Sequence, residues 1–471
     1  MPQFNRLLDD DLAVFREVCG AAFVITDETD RRIYGADETE DLCFPPDVVL
    51  RPESADQIQS IMRHCNERRI PVTPRGAGTG LSGGALPVHG GVSLSLDRMK
   101  KLIEIDTNNL AAVVEPGVIT QVLQEAVEAK GLFYPPDPAS RGSCFIGGNV
   151  AECAGGPRAL KYGVTKDYVI GVKAVLPDGE LIRWGGKLLK NVTGYNLAQL
   201  LVGSEGTLAI VTEITLKLIP LPKHRVMLVA PFNDGEAAAA ALTQIFMNRL
   251  MPSAAEYLEG EAVRCAEAKF GKSFPQSDAE AHLLIELDGN DMALLQQEAE
   301  AVGEICLNAG ARDVLLAEDR ARMDELWMMR RGIGEAVKSV SIYKEEDTVV
   351  PRARLPELVR VVRDVCGRHK LFAITYGHAG DGNLHVNILK RDLSDQEWDE
   401  RLPGAITELF ERVVAMGGAI SGEHGIGWVQ KRYMPIAMSP VELALMRRLK
   451  HAFDPNGILN PGKMVPDGDD S

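Results

Sequence analysis

The chain has 471 residues, 45% of them apolar and 25% charged, enough for two or three cores of ordinary size, so a single compact domain is not expected. Its 51 Lys and Arg against 67 Asp and Glu give a formal charge of -16, which repels nucleic-acid phosphates and anionic lipid because no basic run offsets it locally. The opening MPQFNRLLDDDLAVFREVCG is acidic where a secretory signal is basic and then apolar, and no window reaches membrane-spanning length, so a cytoplasmic protein without a direct membrane span is expected.

From Pro45 to Glu213 short β-rich runs (VSLSL, AAVVEPG, VIGVKAVLPDG, GTLAIVTEITLKLI) alternate with glycine-rich turns and a few helices, among them ADQIQSIMRHCNERRI. Pro220 and Pro222 in LIPLPKHR interrupt the last strand and mark a boundary. The region beyond reads as the strand RVMLVAP, a helix from Gly235, the strand AHLLIELDG, the helix MALLQQEAEAVGEICLNAG and the amphipathic segment RARMDELWMMRRGIGEAVKSV, an alternation that predicts an antiparallel sheet covered by helices on one face. The expected domains are 1-222, 223-425 and a C-terminal segment, 426-471, that returns to the first. The eight cysteines are dispersed, with the nearest pair, Cys144 and Cys153, nine positions apart. No C-x-x-C offers zinc or an iron–sulfur cluster, and reduced thiols are expected.

The stretch PRGAGTGLSGGALP, residues 74 to 87, follows a β-like IPVT. Its glycines allow close backbone approach and present successive N–H groups to an anion, and Arg75 and Thr79 add donors. It has neither P-loop nor G-x-G-x-x-G-helix spacing, so alone it reads equally well as a structural loop. Two more stretches, PPDPASRGSCFIGGNVAECAGG and LLVGSEGTLAIVTEI, complete a specific pattern. With RGAGTGLSGG, PDPAS, IGGNVAECAGG, KYGVTKDYV and GSEGTLAI in this order, the chain resembles the FAD-linked D-2-hydroxy-acid dehydrogenases over roughly residues 40 to 464. That family includes D-lactate dehydrogenases, the catalytic subunit of glycolate oxidase and D-2-hydroxyglutarate dehydrogenase.

The resemblance implies an α+β architecture: a two-subdomain FAD-binding domain of the vanillyl-alcohol oxidase type, plus an α+β cap with an antiparallel sheet. It implies flavin contacts at Pro74, Arg75, Gly76, Ala77, Gly78, Thr79, Gly80, Ser82, Gly83, Pro136, Asp137, Ser140, Ser143, Gly147, Gly148, Asn149, Gly155, Gly163, Glu205, Gly206, Ile210 and Asn460, with the diphosphate on the Arg75–Gly80 backbone. Relatives that tether FAD carry a histidine in the glycine loop. This loop has none, so FAD is expected to be non-covalent; His89, in PVHGG, reads as a turn residue.

TYGHAGDGNLHVN, residues 375 to 387, sets His378 and His385 on either side of a Gly-Asp-Gly reversal that brings the flanking strands together. SGEHGIG, residues 421 to 427, adds Glu423 and His424. Two imidazoles and a carboxylate suit zinc, manganese or iron(II) and leave coordination positions open. The resemblance implies His378, His385 and Glu423 as ligands of one divalent metal, His424 as the base, and Asn387 as a residue that orients a ligand or touches substrate. Of the cations in WMMRRGIGEAVKSVSIYKEED, an arginine on an amphipathic helix is ordinarily a solvated face residue. The resemblance nevertheless singles out Arg330 and Lys344 for the substrate carboxylate, while Gly334 stands where the hydroxyglutarate enzymes have threonine.

The expected reaction is oxidation of a small D-2-hydroxy acid, D-lactate or glycolate, with D-2-hydroxyglutarate as runner-up. Electrons would pass to a separate protein, an iron–sulfur subunit or an electron-transfer flavoprotein, and a homodimer is compatible with the sequence. Two rivals are a non-catalytic FAD-binding subunit of an electron-transfer complex and an alkyl-glycerone-phosphate synthase; neither has a use for the two histidine motifs.

Overall fold

A computed structural model describes residues 4–466. They form two compact units. One comprises the chain up to Gly155, Val164–Leu221 and the chain from Glu423; the other comprises Gly156–Gly163 and Pro222–Gly422. The segment 156–163, which the sequence leaves in the first domain, therefore packs within the second unit.

The first unit holds two main sheets. Val24–Ile25, Val48–Leu50, Val92–Ser95 and Val72–Arg75 lie side by side in that order, with the last three mutually parallel. Leu102–Asp106, Ala111–Val114, Ile210–Lys217, Val169–Val175 and Leu181–Gly185 form an antiparallel sheet of five. The helix Ala55–Arg68 starts at Ser54, whose hydroxyl accepts the Gln57 N–H at 3.3 Å, and ends where Arg69 turns left-handed. Ile58, Ile61, Met62 and Cys65 recur at helical spacing, so one stripe enters the core with Val48, Leu50, Val72 and Val92. Ile458 and Leu459 join the same core. The returning C-terminal segment thus adds a short bridge to the sheet: Val72 N–H donates to Ile458 O at 2.8 Å, and Asn460 N–H to Val72 O at 2.7 Å.

The second unit is built on seven antiparallel strands in the order Leu315–Ala317, His224–Phe232, Ala281–Gly289, Ala254–Glu259, Phe372–Gly377, Asn383–Leu389 and Tyr343–Val349. Helices cover both faces rather than the one expected. On one face Leu326, Trp327, Met329, Ile333 and Ala336 pack against Met227, Val229, Leu258, Leu284 and Tyr376. On the other, Gly235 lies against Tyr257 and Val359, and Gly303 approaches Leu228. The physical reason lies in the strands: Ala281–Asp288 and Asn383–Leu389 are buried at every position, so both alternations need a cover.

Segment 156–163 is fastened to this sheet by charge. Lys161 Nζ donates to Asp288 O and Oδ1 at 2.9 and 2.5 Å, Tyr162 donates to Asp288 Oδ2 at 2.8 Å, and Arg158 Nε lies 3.5 Å from Glu286 Oε1. Leu160 fills the space above Gly380, where any Cβ would stand 2.4 Å from its Cδ2.

Candidate active site

Glycine-directed reversal at 380–382 pairs Phe372–Gly377 with Asn383–Leu389, so that Tyr376 lies opposite His385 and Ile374 opposite Asn387. Gly382 takes a φ of +86° and leaves no room for a side chain, since a Cβ would lie 2.1 Å from Val350 O. His378 and His385 thereby meet edge to face with ring centroids 5.3 Å apart, and each presents a ring nitrogen within 4.8 Å of the other's. Both are buried.

His378 is held from behind by Glu256, a residue the sequence did not single out. Its Nδ1 lies 2.9 Å from each Glu256 oxygen, and Arg330 Nε donates to Glu256 Oε2 at 2.7 Å. Glu256 is wholly buried, and burial pushes its pKa up; His378 and Arg330 more than reverse this, so it stays below the usual carboxylate range. An ionised acceptor at Nδ1 fixes that nitrogen as the donor and leaves Nε2 with the lone pair. On the other side, Asp347 Oδ1 lies 3.5 Å from His385 Nδ1, while Asp347 receives Asn383 Nδ2 at 2.7 Å, Gly422 N–H at 2.8 Å and the Ser421 hydroxyl at 3.1 Å.

Strand register sorts the remaining candidates. Glu345 pairs with Asn387 and Asp347 with His385, so Glu345, Asp347, His385, Asn387 and Tyr376 share one face. Lys344 pairs with Ile388 and alternates to the opposite face. The residue next to it, Glu345, occupies the position facing the histidines and offers a carboxylate oxygen within 4.8 Å of a His385 nitrogen. The lysine on this side is Lys338, whose Nζ is 3.3 Å from Glu345 Oε2 and 5.1 Å from the Tyr343 ring. Arg330 sits on the same side, buried, paired to Glu256 and stacked at 5.2 Å on Tyr376. Asn387 is wholly buried.

Within the first unit the glycine-rich stretches converge. Gly76 is 3.8 Å from Gly148 when given a Cβ, whereas the corresponding directions at Gly80 and Gly148 are open for 4 Å. Arg75 Nη1 and Ser82 Oγ are buried there without a hydrogen-bond partner. Open glycine faces beside unspent donors fit a phosphate-bearing ligand such as the FAD diphosphate. Pro74 and Arg75 end the strand Val72–Arg75, and Ala77, Gly78, Thr79, Ser82 and Gly83 form the loop behind it. Gly147 stacks on Pro116 and Gly206 on Pro74. Pro136 O accepts Gln124 Nε2, Asp137 is buried, and Ser140 O accepts the Ser143 hydroxyl.

Three of the residues expected to contact flavin also hold the fold together. Asn149 Nδ2 donates to Thr120 Oγ1 at 2.6 Å; Asn460 Nδ2 donates to Gly84 O and Glu205 O at 3.0 and 2.8 Å and pins the loop; Ile210 lies in the core. Gly163 falls in the second unit.

Beneath that loop lies a carboxyl pair that the motifs did not announce. Glu205 accepts the Ile426 and Gly427 N–H groups, each at 2.7 Å, so it stabilises the turn that follows His424. Glu152 Oε2 is shielded from water with no hydrogen-bond partner, and a Cβ on Gly425 would stand 2.2 Å from it. Burial, then the Glu205 and Asp37 charges, push Glu152 well above the usual range. Burial pulls the Lys463 ammonium down to about 7 despite Asp37 and Glu205. Glu423 lies against Gly155, where a Cβ would come within 2.7 Å of its Oε2.

Residues 46–185 match the profile of the family described as FAD binding domain, and residues 221–464 that of FAD linked oxidases, C-terminal domain. The glycolate oxidase subunit GlcD of Bacillus subtilis is 42% identical over 92% of both chains. The D-lactate dehydrogenase of Anaerostipes hadrus is 37% identical over 98% of both, and the D-2-hydroxyglutarate dehydrogenase of Stutzerimonas stutzeri is 35% identical over 94% of this chain and 96% of its own. Among solved structures, p-cresol methylhydroxylase shares the fold with a TM-score of 0.79 at 18% identity, covering 97% of this chain and 96% of that one. An alkyldihydroxyacetonephosphate synthase does so with 0.75 at 18%, covering 98% and 87%. The two-domain α+β architecture is thus the one found in vanillyl-alcohol oxidase-type flavoproteins.

Proposed function

The chain belongs to the family of FAD-linked oxidases, and from that premise we propose that it oxidises a small D-2-hydroxy acid, D-lactate or glycolate, to the 2-oxo acid. The observation that carries this reading is the pair of buried imidazoles, one of them oriented through Nδ1 by a buried carboxylate. A scaffold subunit gains nothing from burying such a set, because buried charge is costly unless it performs work.

His378, His385 and Glu423 are the proposed ligands of one divalent cation, zinc, manganese or iron. Such a cation would lower the pKa of a substrate hydroxyl, which no histidine deprotonates unaided. His424 is the proposed base that takes the hydroxyl proton. Arg330 supplies positive charge for the substrate carboxylate while holding Glu256, and Asn387 orients the bound acid. The glycine stretches would hold FAD without a covalent tether, and the flavin would supply the hydride acceptor. Electrons would then pass to a separate protein, an iron–sulfur subunit or an electron-transfer flavoprotein, as the dispersed cysteines offer no C-x-x-C pair for a relay centre. No described helix is long and apolar enough to cross a membrane, which accords with cytoplasmic action.

The test is anaerobic mixing of the purified holoenzyme with a panel of D- and L-2-hydroxy acids. Bleaching of the flavin by D-lactate or glycolate supports the reading; an oxidised flavin with every member overturns it.

A further inference from the structure

We propose that Glu345 is a specificity-determining residue that restricts the substrate to 2-hydroxy acids with a single carboxylate. This rests on the reading of the site as a 2-hydroxy-acid oxidase, and it deepens that reading by naming which acids enter.

The argument begins with register. Glu345 stands opposite Asn387, on the face shared with His385 and Tyr376, and one of its oxygens is within 4.8 Å of a His385 nitrogen. Each cation named on this face already has a protein carboxylate as partner, and Arg330 is the one assigned to the C1 carboxylate. Arg330 is paired to Glu256, and Lys338 Nζ reaches Glu345 Oε2 at 3.3 Å with the Tyr343 ring beside it. Glu345 Oε1 accepts the Tyr376 hydroxyl at 3.3 Å. Oε1 thus carries a hydrogen bond, Oε2 lies at ion-pair distance from Lys338, and the side chain is buried, which disfavours its swinging into solvent when a ligand arrives.

A 2-hydroxy acid seated at the two imidazoles places its C2 substituent within a few bond lengths of that fixed negative charge. A methyl group or hydrogen there meets no penalty. A second carboxylate, one to three carbons from C2, brings like charges within roughly 5 Å in a partly buried site, a cost on the order of ten- to a hundredfold in binding. The basic residue next to Glu345, Lys344, points to the other face and cannot offset it there. Discrimination here comes from a repulsive element rather than from an extra contact with the preferred acid.

The experiment measures flavin reduction by D-lactate, D-malate and D-2-hydroxyglutarate in the holoenzyme and in its Glu345→Gln and Lys338→Met variants. Alongside, equilibrium perturbation of the flavin spectrum is titrated with pyruvate and 2-oxoglutarate, and bound metal is determined for each protein. The expected result is that the wild type favours the monoacid by more than tenfold. Glu345→Gln shifts the diacid-to-monoacid ratio of kcat/KM, and of oxo-acid binding, at least tenfold towards the diacid with metal retained; Lys338→Met shifts it the other way. The proposal is overturned if the wild type uses the diacids as well as D-lactate, if either variant leaves the ratio unchanged, or if Glu345→Gln loses metal, which would make Glu345 a ligand. Failure of every hydroxy acid to reduce the wild-type flavin sinks the functional reading and this inference together.

Discussion

Glu256 grips His378 through both carboxylate oxygens at 2.9 Å while holding Arg330 at 2.7 Å, so a single buried acid sets the tautomer of one imidazole and anchors the nearest guanidinium. Glu256→Gln keeps the shape but halves the acceptor capacity and removes the charge. Metal affinity is expected to fall roughly ten- to a hundredfold, the usual cost of losing an outer partner of a ligand. Competition with a chromophoric chelator reads this directly; unchanged affinity would show that Glu256 has no influence on the ligand.

Arg330→Ala leaves Glu256 buried with His378 as its remaining partner. Removing one member of a buried pair costs about 3–5 kcal/mol, so a marked fall in Tm should accompany a loss in kcat/KM. Arg330→Ala combined with Glu256→Gln should recover part of the lost stability. A Tm no better in the double variant than in Arg330→Ala argues against the coupling.

The proposed ligand and base roles separate by metal content. Alanine at His378, His385 or Glu423 should empty the metal site with FAD retained, whereas His424→Ala should keep the metal and slow flavin reduction by ~10²–10⁴-fold. Mass spectrometry paired with anaerobic stopped-flow decides the matter; a metal-free His424→Ala protein refutes the division.

Gly148 lies in the helix Ile146–Glu152 and faces open space. Gly148→Val should therefore fold, since its Cβ meets no protein atom within 4 Å, yet come off the column with little yellow colour because its methyls would fill the proposed ligand's side of the loop. In the unaltered holoenzyme, acid precipitation should release all flavin to the supernatant. Colour in the pellet contradicts non-covalent binding.

The raised pKa of Glu152 carries a pH signature. An acid whose folded value exceeds its ordinary 4.5 contributes stability fully below that pH, and the contribution drains away as pH rises towards the folded value. Glu152→Gln abolishes this decline. Its Tm advantage over the parent should grow from pH 5 to pH 8, at roughly 2–4 °C per kcal/mol. A constant difference across that window would place the Glu152 carboxyl in ordinary solvent contact.

How much of this was visible in the sequence depended on backbone punctuation. The reversal around His378 and His385 is written by Gly380 and Gly382, and the loop at 76–84 by its glycines, so both were legible. Glu256 was not. In SAAEYLEG an acid in mid-strand looks the same whether it faces water or a buried histidine, although its alternation with Ala254 and Leu258, both buried, is a signal in retrospect. In YKEEDTVV both alternations are polar, so nothing local says whether Lys344 or Glu345 faces inward; only pairing with Ile388 and Asn387 decides it. The helices on both faces follow from strands buried at nearly every position, a pattern that single-sequence periodicity does not distinguish from one-sided cover.

The lodging of residues 156–163 in the second unit has a consequence for how the protein can be made and taken apart. The chain passes between the two units four times, at 155/156, 163/164, 221/222 and 422/423. No single cut yields either unit intact. A fragment expressed from Pro222 to Gly422 would lack Arg158, Lys161 and Tyr162, stranding Glu286 and Asp288 without these partners. On the ribosome, the octapeptide emerges long before the sheet that receives it, so its docking must wait for strands encoded more than a hundred residues later. Protease resistance of that segment during refolding would therefore report formation of the sheet that receives it.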